Sequence, residues 1–159
     1  MVRLADLRPG QLLLDPMCGA GTILAERLSI DRSAPVLGGD LEQAALRAAY
    51  GNLFRLSPPM LVRWNAGRLP LRDESVPRIA CNPPFGKQLG RPEEIASLYR
   101  EVIAEADRVL EPGGRAVLLV SDVSALEPAA RTRAWKRLQR IRLRVLGQPA
   151  FLTVWSKPR

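Results

Sequence analysis

The sequence predicts an α/β protein with a mainly parallel β-sheet, helices on both faces of that sheet and an antiparallel hairpin at the C-terminal end. Short apolar runs alternate with amphipathic stretches, which is the pattern of βαβ units. The continuously apolar run at 116–120 is typical of a strand buried on both faces of a parallel sheet. Residues 140–146 and 151–155 alternate apolar and polar side chains on either side of the Gly147–Pro149 turn, which predicts the hairpin.

The elements follow one another in a regular order. We expect strands at 11–14, 36–39, 60–64, 77–81 and 116–120, and helices at 22–28, 41–53, 93–110 and 125–139. A length of 159 residues and an apolar content of 47% fit one domain with one core. We therefore predict a single domain over residues 1–159.

The composition excludes several kinds of catalysis. The chain has no histidine and two cysteines, Cys18 and Cys81, so it can hold neither a Ser-His-Asp triad, a Cys-His pair nor a four-cysteine zinc site. We expect no metal, and we expect both cysteines to be small buried residues. No apolar run approaches the roughly 20 residues needed to cross a bilayer, and the N-terminus lacks a signal-peptide layout. A cytoplasmic protein is expected.

The charge points to an anionic partner. The formal net charge is +8, and only three of the 24 basic residues are lysines. Arginine binds phosphate through its forked donors, so a nucleic acid is the favoured partner. The alternative is that the arginine content reflects genome composition and solubility.

A glycine-bearing loop, residues 15–22, follows the first strand. Gly19 and Gly21 allow a tight turn and a close approach of the backbone to a ligand, and the next helix offers free N–H groups. A dinucleotide site would require a third glycine where Leu24 stands. Asp15 would repel a pyrophosphate but suits a cation, and S-adenosylmethionine carries an ammonium and a sulfonium. The alternative is a plain strand-to-helix turn.

Two further strand ends supply polar side chains. Asp40 follows the second strand about 20 residues after the glycine loop, where an acidic residue suits the two ribose hydroxyls of a nucleoside. It could also cap the helix that begins at Leu41, and both roles can coexist. Asn65 follows the third strand and could pair with an adenine edge; the alternative is an ordinary loop asparagine.

The fourth strand ends in the most specific segment, Asn82-Pro83-Pro84-Phe85-Gly86. Consecutive prolines lack N–H donors, so this loop presents carbonyl oxygens together with the amide oxygen of Asn82. Two acceptors that hold the hydrogens of an exocyclic NH₂ would aim its lone pair at a methyl sulfonium. Phe85 offers a face on which a flipped base can stack, and no titrating base is required.

These residues together resemble the Rossmann-like RNA guanine-N2-methyltransferases whose catalytic domain often follows a THUMP domain. The resemblance implies a Rossmann-like class I methyltransferase fold, S-adenosylmethionine as cofactor, and methylation of guanine N2 in tRNA or rRNA. It implies that Asn82, Pro83 and Phe85 hold the target base. It also implies a set of cofactor-binding residues: Asp15, Cys18, Gly19, Gly21, Thr22, Asp40, Leu41, Asn65 and Ala66.

The chain departs from the family pattern in two ways. Asn65 stands where the family usually has an acidic residue, which could weaken cofactor affinity. No THUMP domain precedes Leu4, so we expect an N-terminal RNA-binding region to be missing or supplied by a partner chain. The chain's own contacts with RNA would come from basic residues, unless they form only a solvated helix face: Lys87, Arg91, Arg131, Arg133, Lys136 and Arg137.

Other substrates remain open at this point. Adenine-N6 DNA methyltransferases and glutamine-N5 protein methyltransferases also use an Asn-Pro-Pro-aromatic loop. The glycine after the aromatic residue and the Asp-Pro-x-Cys-Gly opening favour the guanine-N2 RNA group. A third possibility is a cofactor-binding partner subunit without catalysis of its own, which the intact 82–86 loop disfavours.

Overall fold

A computed structural model describes residues 1–84 and 92–159 of the chain. No helix within these residues is long and apolar enough to cross a membrane. The helices and strands in chain order are α1 (Val2–Ala5), β1 (Leu13–Asp15), α2 (Thr22–Ile30), β2 (Val36–Asp40), α3 (Gln43–Leu53), β3 (Met60–Arg63), β4 (Val76–Cys81), α4 (Pro92–Val109), β5 (Leu110–Val120), α5 (Val123–Thr132), β6 (Lys136–Val145) and β7 (Gln148–Ser156).

The strands form one seven-stranded sheet in the order β3-β2-β1-β4-β5-β7-β6. Neighbouring strands from β3 to β5 are parallel, whereas β7 runs antiparallel to both β5 and β6. This confirms the predicted mainly parallel sheet with its C-terminal hairpin. The chain leaves the sheet centre in opposite directions from β1 and β4, and ligands of such sheets bind in the crevice outside the carboxyl ends at that point.

Helices cover both faces of the sheet. On one face α4 and α5 pack against a large cluster that contains Tyr99, Trp135 and Trp155. On the other face α1 packs around Val117, and α2 and α3 pack together through Leu24 and other apolar residues. The three tryptophans, Trp64, Trp135 and Trp155, are all buried and belong to the large cluster that contains Tyr99.

The predicted helix over 125–139 is wrong in its second half. The helix α5 ends at Thr132, and the chain from Lys136 onward is strand β6. Ala134 adopts a left-handed conformation with φ of 57°, which stops the helix. Trp135 then turns into the core, where its Nε1 donates a hydrogen bond of 2.6 Å to Asp107 Oδ1.

Two turns also differ from expectation. Residues 112–114 lie within the irregular start of β5 rather than before it, with Gly113 at φ 73° and a register shift opposite 76–78 on β4. The hairpin turn consists of Leu146 and Gly147, at φ 49° and 78°, rather than beginning at Gly147. Positive φ at both positions matches the two-residue turn whose twist suits paired strands.

Candidate active site

A cavity of about 560 Å³ opens at the carboxyl ends of the central strands. The structure brings together on it four residues predicted to bind ligands, Gly19, Asp40, Leu41 and Asn82. Met17 and Pro84 also line the cavity and lie within the two predicted loops, whereas the sequence reasoning missed Glu42 and Leu98. Among the described residues no group of three or more histidine, cysteine or carboxylate side chains is placed to hold a metal ion.

The glycine loop between β1 and α2 is held by backbone hydrogen bonds. Cys18 N–H donates to Gly39 O at 2.8 Å, which ties the loop to β2, and Gly21 N–H donates to Cys18 O at 2.8 Å. Gly21 lies at the N-cap of α2 with φ of 82°, and a Cβ there would also come within 3.0 Å of Leu53. Thr22 is the exposed first residue of α2. The loop thus presents backbone rather than side chains at this edge.

Asp40 is oriented by the two loops that flank it. Its Oδ2 accepts a hydrogen bond of 2.9 Å from Gly19 N–H, and its Oδ1 accepts one of 3.0 Å from Glu42 N–H. The N-cap of α3 is Glu42, so Asp40 lies before the cap rather than at it. A carboxylate has about four lone-pair sites, so both oxygens keep acceptor capacity for a ligand in the cavity.

Asp15, the last residue of β1, is buried with 1% of its surface exposed. Its Oδ1 accepts a hydrogen bond of 3.3 Å from Met17 N–H. Burial raises the pKa of the Asp15 carboxyl to about 8, and the nearby charge of Asp40 adds to this effect. A carboxyl in such a position is stabilised in its ionised form by a cationic group, and the ammonium of S-adenosylmethionine is one.

Trp64, which follows β3, holds the start of the glycine loop in place. Its Nε1 donates a hydrogen bond of 2.9 Å to the carbonyl of Pro16, the residue after Asp15. The indole lies directly against Gly39, where a Cβ would come within 2.1 Å of Trp64 Cε2. Only glycine at position 39 therefore allows the tryptophan to reach the loop, and the paired glycines of β2 were the sequence signal for such a close approach.

Asn65 and Ala66 do not line the cavity. The exposed Asn65 side chain accepts a hydrogen bond of 2.9 Å from Gly67 N–H at its Oδ1, whereas Ala66 is buried. Helix α4 holds the loop that follows, because Glu105 Oε1 accepts from Leu69 N–H at 2.6 Å. The amide oxygen of Asn65 is thus used within its own turn.

The predicted catalytic loop leaves β4 at the same edge. Asn82 is exposed and Pro84 partly buried, and both line the cavity that Asp40 lines, whereas Pro83 is buried. Phe85 and Gly86 lie outside the described residues. Asn82 can thus present its amide oxygen at a cavity that the fixed carboxylate of Asp40 also lines, whereas Pro83 is not among the described residues that line it.

Neither cysteine is suited to be a nucleophile. Both side chains are buried, as expected. Burial raises the pKa of the Cys18 thiol to about 12 and that of the Cys81 thiol well above its ordinary value, and the nearby Asp15 charge adds to both effects. Since the thiolate is the reactive form, both groups stay protonated and inert at neutral pH.

The fold and the site together define a class of protein. A seven-stranded sheet in this order, with a glycine loop, an acidic residue at the end of β2 and an Asn-Pro-Pro segment around one cavity, is that of a Rossmann-like class I methyltransferase. The crystal structure of TrmN from Thermus thermophilus superposes with a TM-score of 0.86 at 33% identity, over 98% of this chain and 46% of that one.

The family follows from the sequence. The profile of the family described as "RMKL-like, methyltransferase domain" matches residues 1–148. The chain therefore belongs to the RMKL-like methyltransferase domain family. S-adenosylmethionine is the cofactor that this family and fold imply. The oriented carboxylate of Asp40 on the cavity fits the ribose hydroxyls. The Asp15 carboxyl suits a cation such as the ammonium, but it is buried and is not among the described residues that line the cavity.

Two curated relatives illustrate the range of the family. The tRNA (guanine(6)-N2)-methyltransferase of Thermus thermophilus is 40% identical in an alignment of 137 residues that covers 84% of this chain and 39% of that protein. The human U6 snRNA (guanine-N(2))-methyltransferase THUMPD2 is 36% identical over 125 residues, 77% of this chain and 24% of that protein. The chain thus spans well under half the length of these relatives.

Proposed function

We propose that the chain transfers the methyl group of S-adenosylmethionine to the exocyclic N2 of a guanine in RNA, with tRNA the first candidate. One observation carries this proposal: Asn82 lies on the same cavity as Asp40, so acceptors for an amine and for a ribose face one space. The similarity to guanine-N2 methyltransferases of tRNA and U6 snRNA supports guanine as the base.

The cofactor would lie across the ends of β1 and β2. Asp15 would pair with the ammonium, and Asp40 would accept hydrogen bonds from the ribose hydroxyls. The exposed side chain of Leu41, with 57% of its surface accessible, offers an apolar face for adenine. The glycine loop carries most of the remaining proposed contacts: Cys18, Gly19, Gly21 and Thr22. Asn65 and Ala66 of the β3 loop also stay proposed contacts, although neither lines the cavity.

The target base would lie beside the β4 loop. The amide oxygen of Asn82 and the carbonyl of Pro83 would each accept one hydrogen of the guanine N2 amine and draw its lone pair out of conjugation. S-adenosylmethionine supplies a methyl group on a positively charged sulfur. The N–C bond forms as the C–S bond breaks with its electron pair on sulfur, and the methylated nitrogen then releases its proton to solvent. Catalysis rests on positioning, and Phe85 would stack on the base.

The other readings are less well supported. An adenine-N6 DNA methyltransferase would use the same loop, but the relatives named above act on guanine in RNA. A partner subunit without catalysis would have no use for an exposed Asn82 on the cofactor cavity. A single domain over 1–159, an additional RNA-binding region and a cytoplasmic location stay predictions.

The test separates cofactor binding from methyl transfer. We expect Asn82→Ala to reduce methyl transfer to a tRNA transcript by about 100-fold or more while the Kd for S-adenosylmethionine changes less than about twofold. Calorimetry measures the Kd, and nucleoside mass spectrometry identifies the product. Equal loss of both functions would contradict the role of Asn82, and N6-methyladenosine, or methylation of duplex DNA alone, would refute guanine as the substrate.

A further inference from the structure

The edge strand β6 is the most basic element that the structure describes. Its ten residues include five cationic and no acidic side chains, namely Lys136, Arg137, Arg140, Arg142 and Arg144. All five are exposed. A row of cations along an unpaired sheet edge is suited to a polyanion.

The register places one end of this row beside the active site. Because β5 and β6 are both antiparallel to β7, β6 ends at the same sheet edge as the parallel strands. Val120, the last residue of β5, pairs with Phe151, and Phe151 pairs with Arg142. Arg142 is therefore level with the end of β5, and Arg144 lies beyond it.

The distance to the catalytic loop suits a nucleic-acid strand. Three strand spacings separate β6 from β4, which is about 14 Å across the sheet. A nucleic-acid strand with stacked bases advances about 3.4 Å per nucleotide, so the distance from β6 to β4 corresponds to about four nucleotides. A strand that places its target base at Asn82 can thus pass Arg142 with its neighbouring phosphates.

The cations of β6 differ in their intramolecular partners. Glu127 on α5 pairs with Arg137 and, at 3.7 Å, with Arg140, and it also reaches Arg131 at 3.5 Å. None of the salt bridges between described residues involves Arg142 or Arg144. Arg142 and Arg144, the two cations near the site, are thus not neutralised by Glu127, and neither is Lys136 at the far end of β6.

The turn beyond Arg144 carries an unusual residue. Leu146 is 98% exposed and has a φ of 49°. A leucine with positive φ is strained, and its exposure leaves its apolar surface in water. Since Asn-Gly is the preferred pair for this turn, Leu146-Gly147 is a costly choice for the hairpin alone.

We propose that Arg142, Arg144 and Leu146, here called the hairpin tip, form a docking surface for RNA beside the target nucleotide. The two arginines bind backbone phosphates of the RNA, and Leu146 packs on a base or a sugar that lies between those phosphates. The tip deepens the proposed function and rests on it for the identity of the partner. Charge decides the occupant, since a second copy of this chain would bring like charges together, whereas RNA neutralises them.

The first test compares two double charge reversals. In Arg142→Glu/Arg144→Glu we expect affinity for a tRNA transcript, measured by fluorescence anisotropy without cofactor, to fall at least about tenfold. Between about 50 and 200 mM KCl, the negative slope of log affinity against log salt should become less steep by about 1.5. The matched control, Arg32→Glu/Arg55→Glu, makes the same charge change at two exposed positions away from the hairpin and should change the affinity less than about threefold.

Steady-state kinetics separate this surface from the catalytic proposal. The tip variant should raise KM for RNA at least about tenfold while kcat and the Kd for S-adenosylmethionine stay within about twofold. Equal losses in both double variants, or none in either, would overturn the docking surface. Loss of RNA binding confined to the tip variant, with no guanine methylation by the parent chain, would support the surface and refute the proposed function.

A second variant tests Leu146, because its substitution should lower RNA affinity without lowering the stability of the fold. Leu146→Asn creates the preferred Asn-Gly turn, so the melting temperature should stay equal or rise. We nevertheless expect RNA affinity to fall about threefold or more, because the apolar contact is lost. An unchanged affinity would overturn the assigned contact of Leu146, since a purely structural residue predicts no loss.

Discussion

At the carboxyl ends of β1 and β2, here called the cofactor end, three acidic side chains lie near one another: Asp15 and Asp40 are the last residues of the two paired strands, and Glu42 follows Asp40 by two residues. At the β6–β7 end the charged side chains of β6 are basic, with no acidic residue to offset its five cations. In the proposed function, the first end would face a cofactor that carries positive charge. The second faces outward, where RNA would lie. The carboxyl edge of the sheet thus carries acidic residues where the cationic cofactor would bind and basic residues where the anionic RNA would bind.

The two ends also differ in how they are built. The cofactor end depends on backbone hydrogen bonds, a buried carboxyl and a glycine against a tryptophan. The hairpin end depends on exposed side chains. Substitutions at the first end should therefore disturb folding and cofactor binding, whereas those at the second should change RNA affinity and little else.

Gly39→Ala should have the largest effect, because the added Cβ would come within 2.1 Å of the Trp64 ring. Overpacking of this kind costs about 3 kcal/mol of unfolding free energy or more. Urea denaturation measures the change. Gly51→Ala in α3 is the matched control, since a Cβ there meets nothing within 4 Å, and it should stabilise the helix by up to about 1 kcal/mol. Equal stabilities would show that the tryptophan can move away.

Asp40→Asn should weaken cofactor binding next. The variant loses the charge that the N–H groups of Gly19 and Glu42 now orient, together with an acceptor for the ribose. We expect the Kd for S-adenosylmethionine to rise about 100-fold, as for two charged hydrogen bonds. RNA affinity measured without cofactor should not change. Asp31→Asn, at an exposed carboxylate after α2, should leave both affinities unaltered, and a parallel loss of RNA binding would break the separation of the two ends.

Asp15 should give the cofactor end a pH dependence that the hairpin end lacks. Its pKa is raised to about 8 from 3.8, so the folded chain keeps a proton that the unfolded chain has released across this interval. The contribution to stability is full below the unfolded pKa and is lost as pH rises toward about 8. The slope is up to about 1.4 kcal/mol per pH unit.

Cofactor affinity should follow the opposite trend, because a bound ammonium favours the ionised carboxylate. The Kd for S-adenosylmethionine should fall up to about tenfold per pH unit on approach to about 8 and then level off. Scanning calorimetry between about pH 6 and pH 8.5 measures the pH dependence of stability, and titration calorimetry measures that of the Kd. The comparison is Asp15→Asn, which should bind S-adenosylmethionine weakly and with a Kd that does not follow this pH dependence. A parent chain with a flat profile would mean that Asp15 is already ionised without cofactor.

Glu127→Gln should produce the smallest change. It frees Arg131, Arg137 and Arg140 from their shared partner, which should cost no more than about 1 kcal/mol of stability because these pairs lie near the surface. RNA affinity should rise about twofold as the hairpin end becomes more positive. A fall in affinity would indicate that Glu127 positions the arginines for RNA rather than neutralising them.

The order of elements could be predicted from sequence because each strand and helix has its own apolar period. The stretch 125–139 could not, since its arginines and leucines suit a helix as well as a strand. The helix stops within this stretch because Ala134 adopts a left-handed conformation and Trp135 donates a hydrogen bond to Asp107. That contact joins positions far apart in the chain, and no local pattern reveals it.

The candidate site, too, could be predicted from the sequence only in part. Gly19, Asp40 and Asn82 meet because the carboxyl ends of parallel strands share one edge. Leu98 on α4 was missed because the helix reaches the cavity only through its packing in three dimensions. The burial of Asp15 and the hydrogen bond between Trp64 and the carbonyl of Pro16 likewise arise from packing in three dimensions, which no local pattern specifies.

The two buried thiols have a practical consequence for spectroscopy. Cys18 and Cys81 are the only cysteines of the chain, and the raised pKa of each keeps it in the unreactive protonated form. A cysteine introduced at the exposed Gln139 would therefore be labelled by maleimide dyes far faster than either native thiol. A single fluorophore on the hairpin could report its contacts in real time, without first removing any native cysteine.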